Sequence, residues 1–249
     1  MFRPFMHVTI ALLALQFGAS AIAADLIVSA AASLTNAFTD IGREFERAHP
    51  DTKVVFNFAG SGQLLQQIAK GAPVDVFASA DQETMDQAES QGLIENGSRF
   101  NFVRNALVVV VPIDSKLSVS SLEQLTKNEF RHIAIGNPDS VPVGRYSKSV
   151  LVAAGHWNAL EPKIVNTQNV RQSLDYVARG EVEAAFVYRT DAAILQDKVR
   201  VALEVPTTKP ILYPIATIKG ANIAAKEFVA FVGSDPGRKI LQNYGFGKP

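Results

Sequence analysis

Leu26-Ile27-Val28-Ser29-Ala30-Ala31-Ala32-Ser33-Leu34 and Val54-Val55-Phe56-Asn57-Phe58-Ala59-Gly60-Ser61-Gly62 follow one plan: an apolar strand, small residues with a serine, then an amphipathic helix. After Ser33, the positions Leu34, Ala37, Phe38, Ile41 and Phe45 keep helical spacing as far as His49-Pro50. After Ser61 the stripe is Leu64, Leu65 and Ile68, closed by Gly71 and Pro73. A helix start leaves backbone N–H groups unpaired and carries the positive end of the helix dipole. A serine there adds a hydroxyl donor, and small neighbours let a ligand approach. Two such junctions suggest an oxyanion receptor that uses no charged side chain. For either serine alone, ordinary helix capping is the more economical explanation.

The same alternation runs outward along the chain. Val74 to Ala78 reads as a buried strand, and Asp81 caps a helix that Gly92 ends. Leu107 to Val111 is a strongly apolar strand before Pro112, and Ser121-Leu122-Glu123-Gln124 fits a capping box. Ile133 to Ile135 is a short strand, Val143 to Ala154 a helix stopped by Gly155, and Ile164-Val165 a strand. Asn169 caps a helix that ends at Gly180, and Ala184 to Tyr188 is a strand. Ile211 to Ile218 is extended despite Pro214, and helices follow over 222–232 and 237–244. Strands alternating with helices predict an α/β protein with largely parallel sheets. No Gly/Ser-rich linker separates two halves, so two lobes would share the chain through crossover strands, with Leu107–Val111 and Ile211–Ile218 as the candidates.

The first two dozen residues read as a secretory signal peptide. Arg3 and His7 precede the apolar run Val8 to Phe17, and Ala21-Ile22-Ala23 supplies an A-x-A site, with cleavage after Ala23 or Ala24. The expected division is a leader over 1–24, a first lobe over 25–104 and 214–249, and a second lobe over 105–213. No later stretch has the long apolar run of a membrane span. The chain has no cysteine, which excludes disulfides, zinc-thiolate sites and a lipid anchor on an N-terminal cysteine. Losing Arg3 leaves 23 basic against 24 acidic residues, a balance that gives no sign of a nucleic-acid or membrane-surface partner.

Two further helix starts resemble the first two: Val141-Pro142-Val143-Gly144-Arg145-Tyr146, after the loop Asn137-Pro138-Asp139-Ser140, and Asn169-Val170-Arg171. Tyr188 ends a strand and can bring another hydroxyl to the same side, because open α/β sheets bind ligands at the carboxyl ends of their strands. Four helix ends at about +0.5 each sum to about +2, which matches a dianion. Arg145 and Arg171 stand beside these donors and could steer anions, although a solvated helix face is the commoner place for such residues. His49, His132 and His156 lack metal-ligand spacing. Neither a nucleophile elbow nor a phosphate loop of the G-x-x-x-x-G-K-[ST] type occurs. Asp75 and Asp81 read as turn and capping residues.

Taken in order, Ala31-Ala32-Ser33-Leu34-Thr35-Asn36-Ala37, Phe58-Ala59-Gly60-Ser61-Gly62, Gly71 to Gln82, Val141 to Tyr146 and Val187 to Ala192 resemble the periplasmic molybdate-binding proteins of ABC importers, the ModA family. The resemblance extends from about Asp25 to Phe246. It implies a type II periplasmic binding protein fold, with two α/β lobes joined by two crossover strands and the ligand in the cleft between them. It also implies a monomer without catalytic activity or cofactor, which binds molybdate or tungstate for an inner-membrane permease. The site residues it implies are Ser33, Ser61, Val143 and Val170 through backbone N–H groups, and Ser33, Ser61 and Tyr188 through hydroxyls. The molybdenum is held as the oxyanion, with no side chain as a direct metal ligand. Gly60 and Gly62 flank Ser61 where one version of the pattern has serines, so the central hydroxyl is kept and its neighbours are lost. The alternatives are a receptor of the same fold for sulfate or phosphate and, from another class, an exported hydrolase.

Overall fold

The computed structural model describes residues 24–249. The leader expected over 1–24 lies, but for Ala24, outside them. The chain enters on β1 (Ala24–Ala31), a 3-10 turn (Ala32–Leu34) and α1 (Thr35–Ala48), then β2 (Thr52–Ala59), α2 (Ser61–Ala69), β3 (Val76–Ala78), α3 (Gln82–Ser90) and β4 (Phe100–Asn105). A second series follows: β5 (Leu107–Pro112), β6 (Ile133–Gly136), α4 (Pro142–Ala153), the single turn α5 (Trp157–Leu160), β7 (Ile164–Thr167), α6 (Val170–Ala178), β8 (Ala184–Tyr188), α7 (Arg189–Ile194) and β9 (Val199–Val205). The chain then returns through β10 (Ile211–Thr217) and ends on α8 (Ile223–Val232) and α9 (Asp235–Asn243).

Two five-stranded sheets result, in the orders β2-β1-β3-β10-β4 and β7-β6-β8-β5-β9. Each has a parallel core, β1 with β2 and β3 in the first lobe and β6 with β7 and β8 in the second. To each core an antiparallel strand is added, β10 on β3 and β5 on β8, and a fifth strand pairs with it. The sheets are therefore mixed rather than largely parallel. The cause lies in the crossings: β5 and β10 are the strands that arrive from the other lobe, and they enter running the opposite way. Ala106 alone separates β4 from β5, and residues 206–210 separate β9 from β10. The leaving strands β4 and β9 had no distinct sequence signature, because both alternate weakly and β4 carries Asn101, Arg104 and Asn105.

Local rules explain most element ends. Asp81, Asn169, Asn222 and Ser234 each accept a bond from the third N–H of the following helix. Gly92 and Gly180 leave their helices at positive φ, 67° and 70°. The expected capping box at Ser121 is replaced by a 3-10 turn over Leu122–Thr126: the Ser121 hydroxyl makes no cap bond, and Gln124 Oε1 instead accepts from the Ser120 N–H at 2.6 Å. Pro214 sits inside a central strand, where a missing N–H is costly, and the pairing with β4 shifts register between Tyr213 and Pro214 to absorb it.

An aromatic cluster of Phe38, Phe45, Phe56, Phe102, Phe228 and Tyr213 seals the first lobe, with ring centroids 5.3–6.4 Å apart along the Phe38, Phe45, Phe56 and Phe102 edges to their neighbours. It joins α1, β2, β4, β10 and α8 in one packed unit, each ring contributing about 1.5–3 kcal/mol by burial. In the second lobe the tightest contact is between α4 and β6, where a Cβ on Gly144 would collide with the carbonyl of Gly136. Gly144→Ala is expected to push α4 off the sheet and destabilise the protein by about 1–3 kcal/mol, read as a lower urea midpoint. An unchanged midpoint would show that α4 can slide freely.

Candidate functional site

All six parallel strands end, at their carboxyl termini, on the cleft between the lobes. Ala31, Ala59 and Ala80 reach it from the first lobe, and Val141, Asn169 and Tyr188 from the second. They line a narrow cavity in which the centre of a water-sized sphere has about 10 Å³ to move. Ser33, Ser61, Val143, Val170 and Tyr188, the five positions expected from sequence, all line this one cavity. The remaining lining is Ala31, Ala32, Ala59, Gly60, Ala80, Val141, Pro142 and Asn169. No acidic or basic side chain is among these residues.

Four helix starts converge here. Ser33 lies in the 3-10 turn that leads into α1, Ser61 is the first residue of α2, Val143 the second of α4 and Val170 the first of α6. None of the serines is the cap residue itself: Ala31, Gly60, Val141 and Asn169 hold those places. The plain capping explanation of Ser33 and Ser61 is thereby removed. First-turn N–H groups have no partner inside their own helix, so those at the cavity wall are available to a ligand.

The hydroxyls are equally constrained. Ala80 N–H donates to Ser61 Oγ at 3.1 Å, which leaves the Ser61 proton free to be donated. Ser33 Oγ lies 3.0 Å from Tyr213 Oη. Tyr188 is 1 % exposed, and its Oη is one of four buried side-chain oxygens without a partner among the described residues, the others being Ser29 Oγ, Asp191 Oδ2 and Thr217 Oγ1. Of the four, Tyr188 alone lines the cavity. Burial drives its phenol well above the ordinary value, so it stays protonated and can donate.

The lobes are in direct contact around this cavity. Gly62 N–H in α2 donates to Ser140 O in the loop before α4, at 2.9 Å. A Cβ on Gly62 would stand 2.6 Å from that carbonyl oxygen, and one on Gly60 would stand 2.7 Å from the Gln168 carbonyl. The two glycines beside Ser61 therefore give up side chains so that backbone can meet backbone. Arg145 and Arg171 are part-buried bridges rather than solvated helix-face residues. Arg145 reaches across to the capping residue Asp81 (Nε to Oδ2, 2.8 Å) and to Thr84 Oγ1 (2.6 Å). Arg171 holds Asp191 of its own lobe (2.6 Å) and reaches Asn36 Oδ1 of the other at 2.9 Å. Each guanidinium is matched by a carboxylate, so neither leaves a net charge for a ligand.

Sequence reading missed Tyr213, Asn105, Asn36 and the backbone of Ala80 and Ser140. Tyr213 reads as one more aromatic in a buried strand, and Asn105 as a polar strand end. Their roles depend on partners 108 and 180 residues away, which no local pattern encodes.

Comparison with known proteins follows the same lines. The family model described as bacterial extracellular solute-binding protein matches residues 26–247. The molybdate-binding protein ModA of Escherichia coli is 38% identical over 89% of this chain and 88% of its own. A Bacillus subtilis protein described as a putative ABC transporter substrate-binding lipoprotein, YvgL, is 36% identical over 89% of this chain and 85% of its own. Among solved structures, the periplasmic molybdate-binding protein of Azotobacter vinelandii superimposes with a TM-score of 0.79 at 26% identity, over 90% of this chain and 99% of its own.

The orphaned hydroxyl supplies a direct test. Tyr188→Phe is expected to leave the ligand-free protein as stable as the parent, or more stable by up to about 1 kcal/mol, because a buried unsatisfied group is removed. Urea unfolding measures this. A clear loss of stability would mean that the hydroxyl has a structural partner.

Proposed function

The chain belongs to the ModA family of bacterial extracellular solute-binding proteins, and we propose that it is the oxyanion receptor of an ABC importer, capturing molybdate, and tungstate with it, in the periplasm for an inner-membrane permease. The observation that carries this reading is a closed cavity whose wall offers donors and no charge: helix-start N–H groups, the hydroxyls of Ser33 and Ser61, and the unpartnered Tyr188 Oη. About half a charge from each helix start balances a dianion, and the exclusion of water strengthens every such contact. A protonated phosphate needs an acceptor for its own O–H, and a wall made mainly of donors disfavours it. Sulfate carries the same charge on shorter bonds, so it cannot reach donors on both lobes at good distance.

Capture then consists of hinge closure. The ion binds donors of one lobe, the other lobe swings in about the crossings, and Gly62, Arg145 and Arg171 lock the lobes together; release to the permease reverses this. Neither serine hydroxyl bonds to a histidine, lysine or carboxylate among the described residues, so neither has a general base to make it a nucleophile. No helix among the described residues is long and apolar enough to cross a membrane.

Thermal unfolding with molybdate, tungstate, sulfate or phosphate at equal concentration tests the assignment. At 100 times the dissociation constant, molybdate and tungstate are expected to stabilise by about 2.7 kcal/mol, or about 5–10 °C for a chain of this length. A sulfate shift as large as that of molybdate would reassign the ligand, and no shift with any of the four would refute the receptor. Gly62→Ala is expected to weaken molybdate binding by about five- to 150-fold in titration calorimetry, because overpacking of this order costs about 1–3 kcal/mol in the closed form alone. Unchanged affinity would separate the Gly62–Ser140 contact from binding.

A further inference from the structure

The Ser33 hydroxyl is the end of a directed chain of hydrogen bonds that starts at the hinge. Asn105 closes β4, one residue before the crossing, and its amide orientation is fixed because Ala106 N–H donates to Asn105 Oδ1 at 2.9 Å. Its Nδ2 must then be the donor to its other neighbours, Thr190 Oγ1 at 2.9 Å and Tyr213 Oη at 3.2 Å. Tyr213 is fully buried, and burial holds its phenol well above the ordinary value, so the phenol keeps its proton. Among the described residues Tyr213 Oη has two partners, and Asn105 Nδ2 can only donate, so Ser33 Oγ is the one acceptor in reach of the phenol proton. Ser33 Oγ accepts it, and the serine's own proton is left for the cavity. A hydroxyl that would otherwise rotate between donor and acceptor is thus set as a donor.

We propose that Tyr213, oriented by Asn105, is a specificity-determining positioning residue: it holds Ser33 as a donor toward the cavity, so that the site takes fully deprotonated tetrahedral oxyanions and rejects those that carry a proton. This rests on the oxyanion-receptor reading above. The second lobe takes part, because Thr190, at the start of α7, shares the Asn105 amide. The directed hydroxyl is therefore tied to the same residues about which the lobes move.

The test measures molybdate, sulfate and hydrogen phosphate affinities by calorimetry at pH 7.5 for the parent, Tyr213→Phe, Ser33→Ala, their double variant and Asn105→Asp. Tyr213→Phe is expected to weaken molybdate about tenfold and to narrow the molybdate-to-phosphate ratio without improving sulfate, since sulfate has no proton to be accepted. In the Ser33→Ala background the same substitution is expected to change molybdate affinity by less than about twofold, because its effect passes through that hydroxyl. Asn105→Asp offers an acceptor where the chain had a donor, which reverses the relay; phosphate affinity is expected to rise while molybdate falls. A Tyr213→Phe loss of equal size in both backgrounds, a parallel gain for sulfate and phosphate, or parental selectivity in Asn105→Asp would each overturn the proposal. A parent that binds none of the three ions would overturn the receptor reading and the relay together, whereas a parent that binds molybdate leaves those outcomes to judge the relay alone.

Discussion

A helix cannot use the N–H groups of its own first turn, and this backbone constraint organises the molecule. Parallel strands that each feed a helix must point their helix starts the same way, and two such lobes placed face to face aim four of them at one spot. The side chains at that spot are then under a single requirement, to stay out of the way. Ala31, Ala32, Ala59, Gly60 and Ala80 satisfy it by being small. Positive charge is supplied by peptide dipoles, which cannot be titrated or swung aside as a lysine can.

Closure uses the opposite chemistry. Around the uncharged cavity the lobes are held by two part-buried guanidinium groups: Arg145 reaches Asp81 across the cleft, and Arg171, fixed by Asp191 of its own lobe, reaches Asn36 of the other. Buried ion pairs repay little in stability, because desolvation offsets the attraction. They are demanding in geometry, however, and Arg145 finds Asp81 only when α3 and α4 are in register across the cleft. The charges therefore define one closed arrangement, and the cavity inside it remains electrically simple.

Much of this was legible in the sequence because it is local. Helical spacing after Ser33 and Ser61, the caps at Asp81 and Asn169, and the strand ending at Tyr188 all depend on neighbours within a few residues. The rule that ligands meet strand carboxyl ends put the four helix starts and Tyr188 on one side, and the resemblance to the ModA family named the five positions among them. What stayed hidden is pairwise and distant. The weakly patterned β4 and β9 are strands only because β10 and β5 give them partners. Gly60 and Gly62 looked like lost hydroxyls, and the opposing carbonyls of Gln168 and Ser140 explain them as clearance. Arg145 and Arg171 looked like solvated residues until the opposite lobe was in place.

The exchange of strands at the crossings has a bearing on how the chain is built as well as on how it moves. The first sheet ends on β4, whose neighbour β10 begins 106 residues later, after the whole second lobe. A chain that emerges amino terminus first cannot finish its first lobe until Ile211–Thr217 has appeared, and Phe100–Asn105 must wait without a partner. Closing so long a loop is slow. The second sheet, whose five strands all lie between Leu107 and Val205, has no such wait, so the architecture that lets two lobes share one hinge makes the lobe that is begun first the one that is finished last.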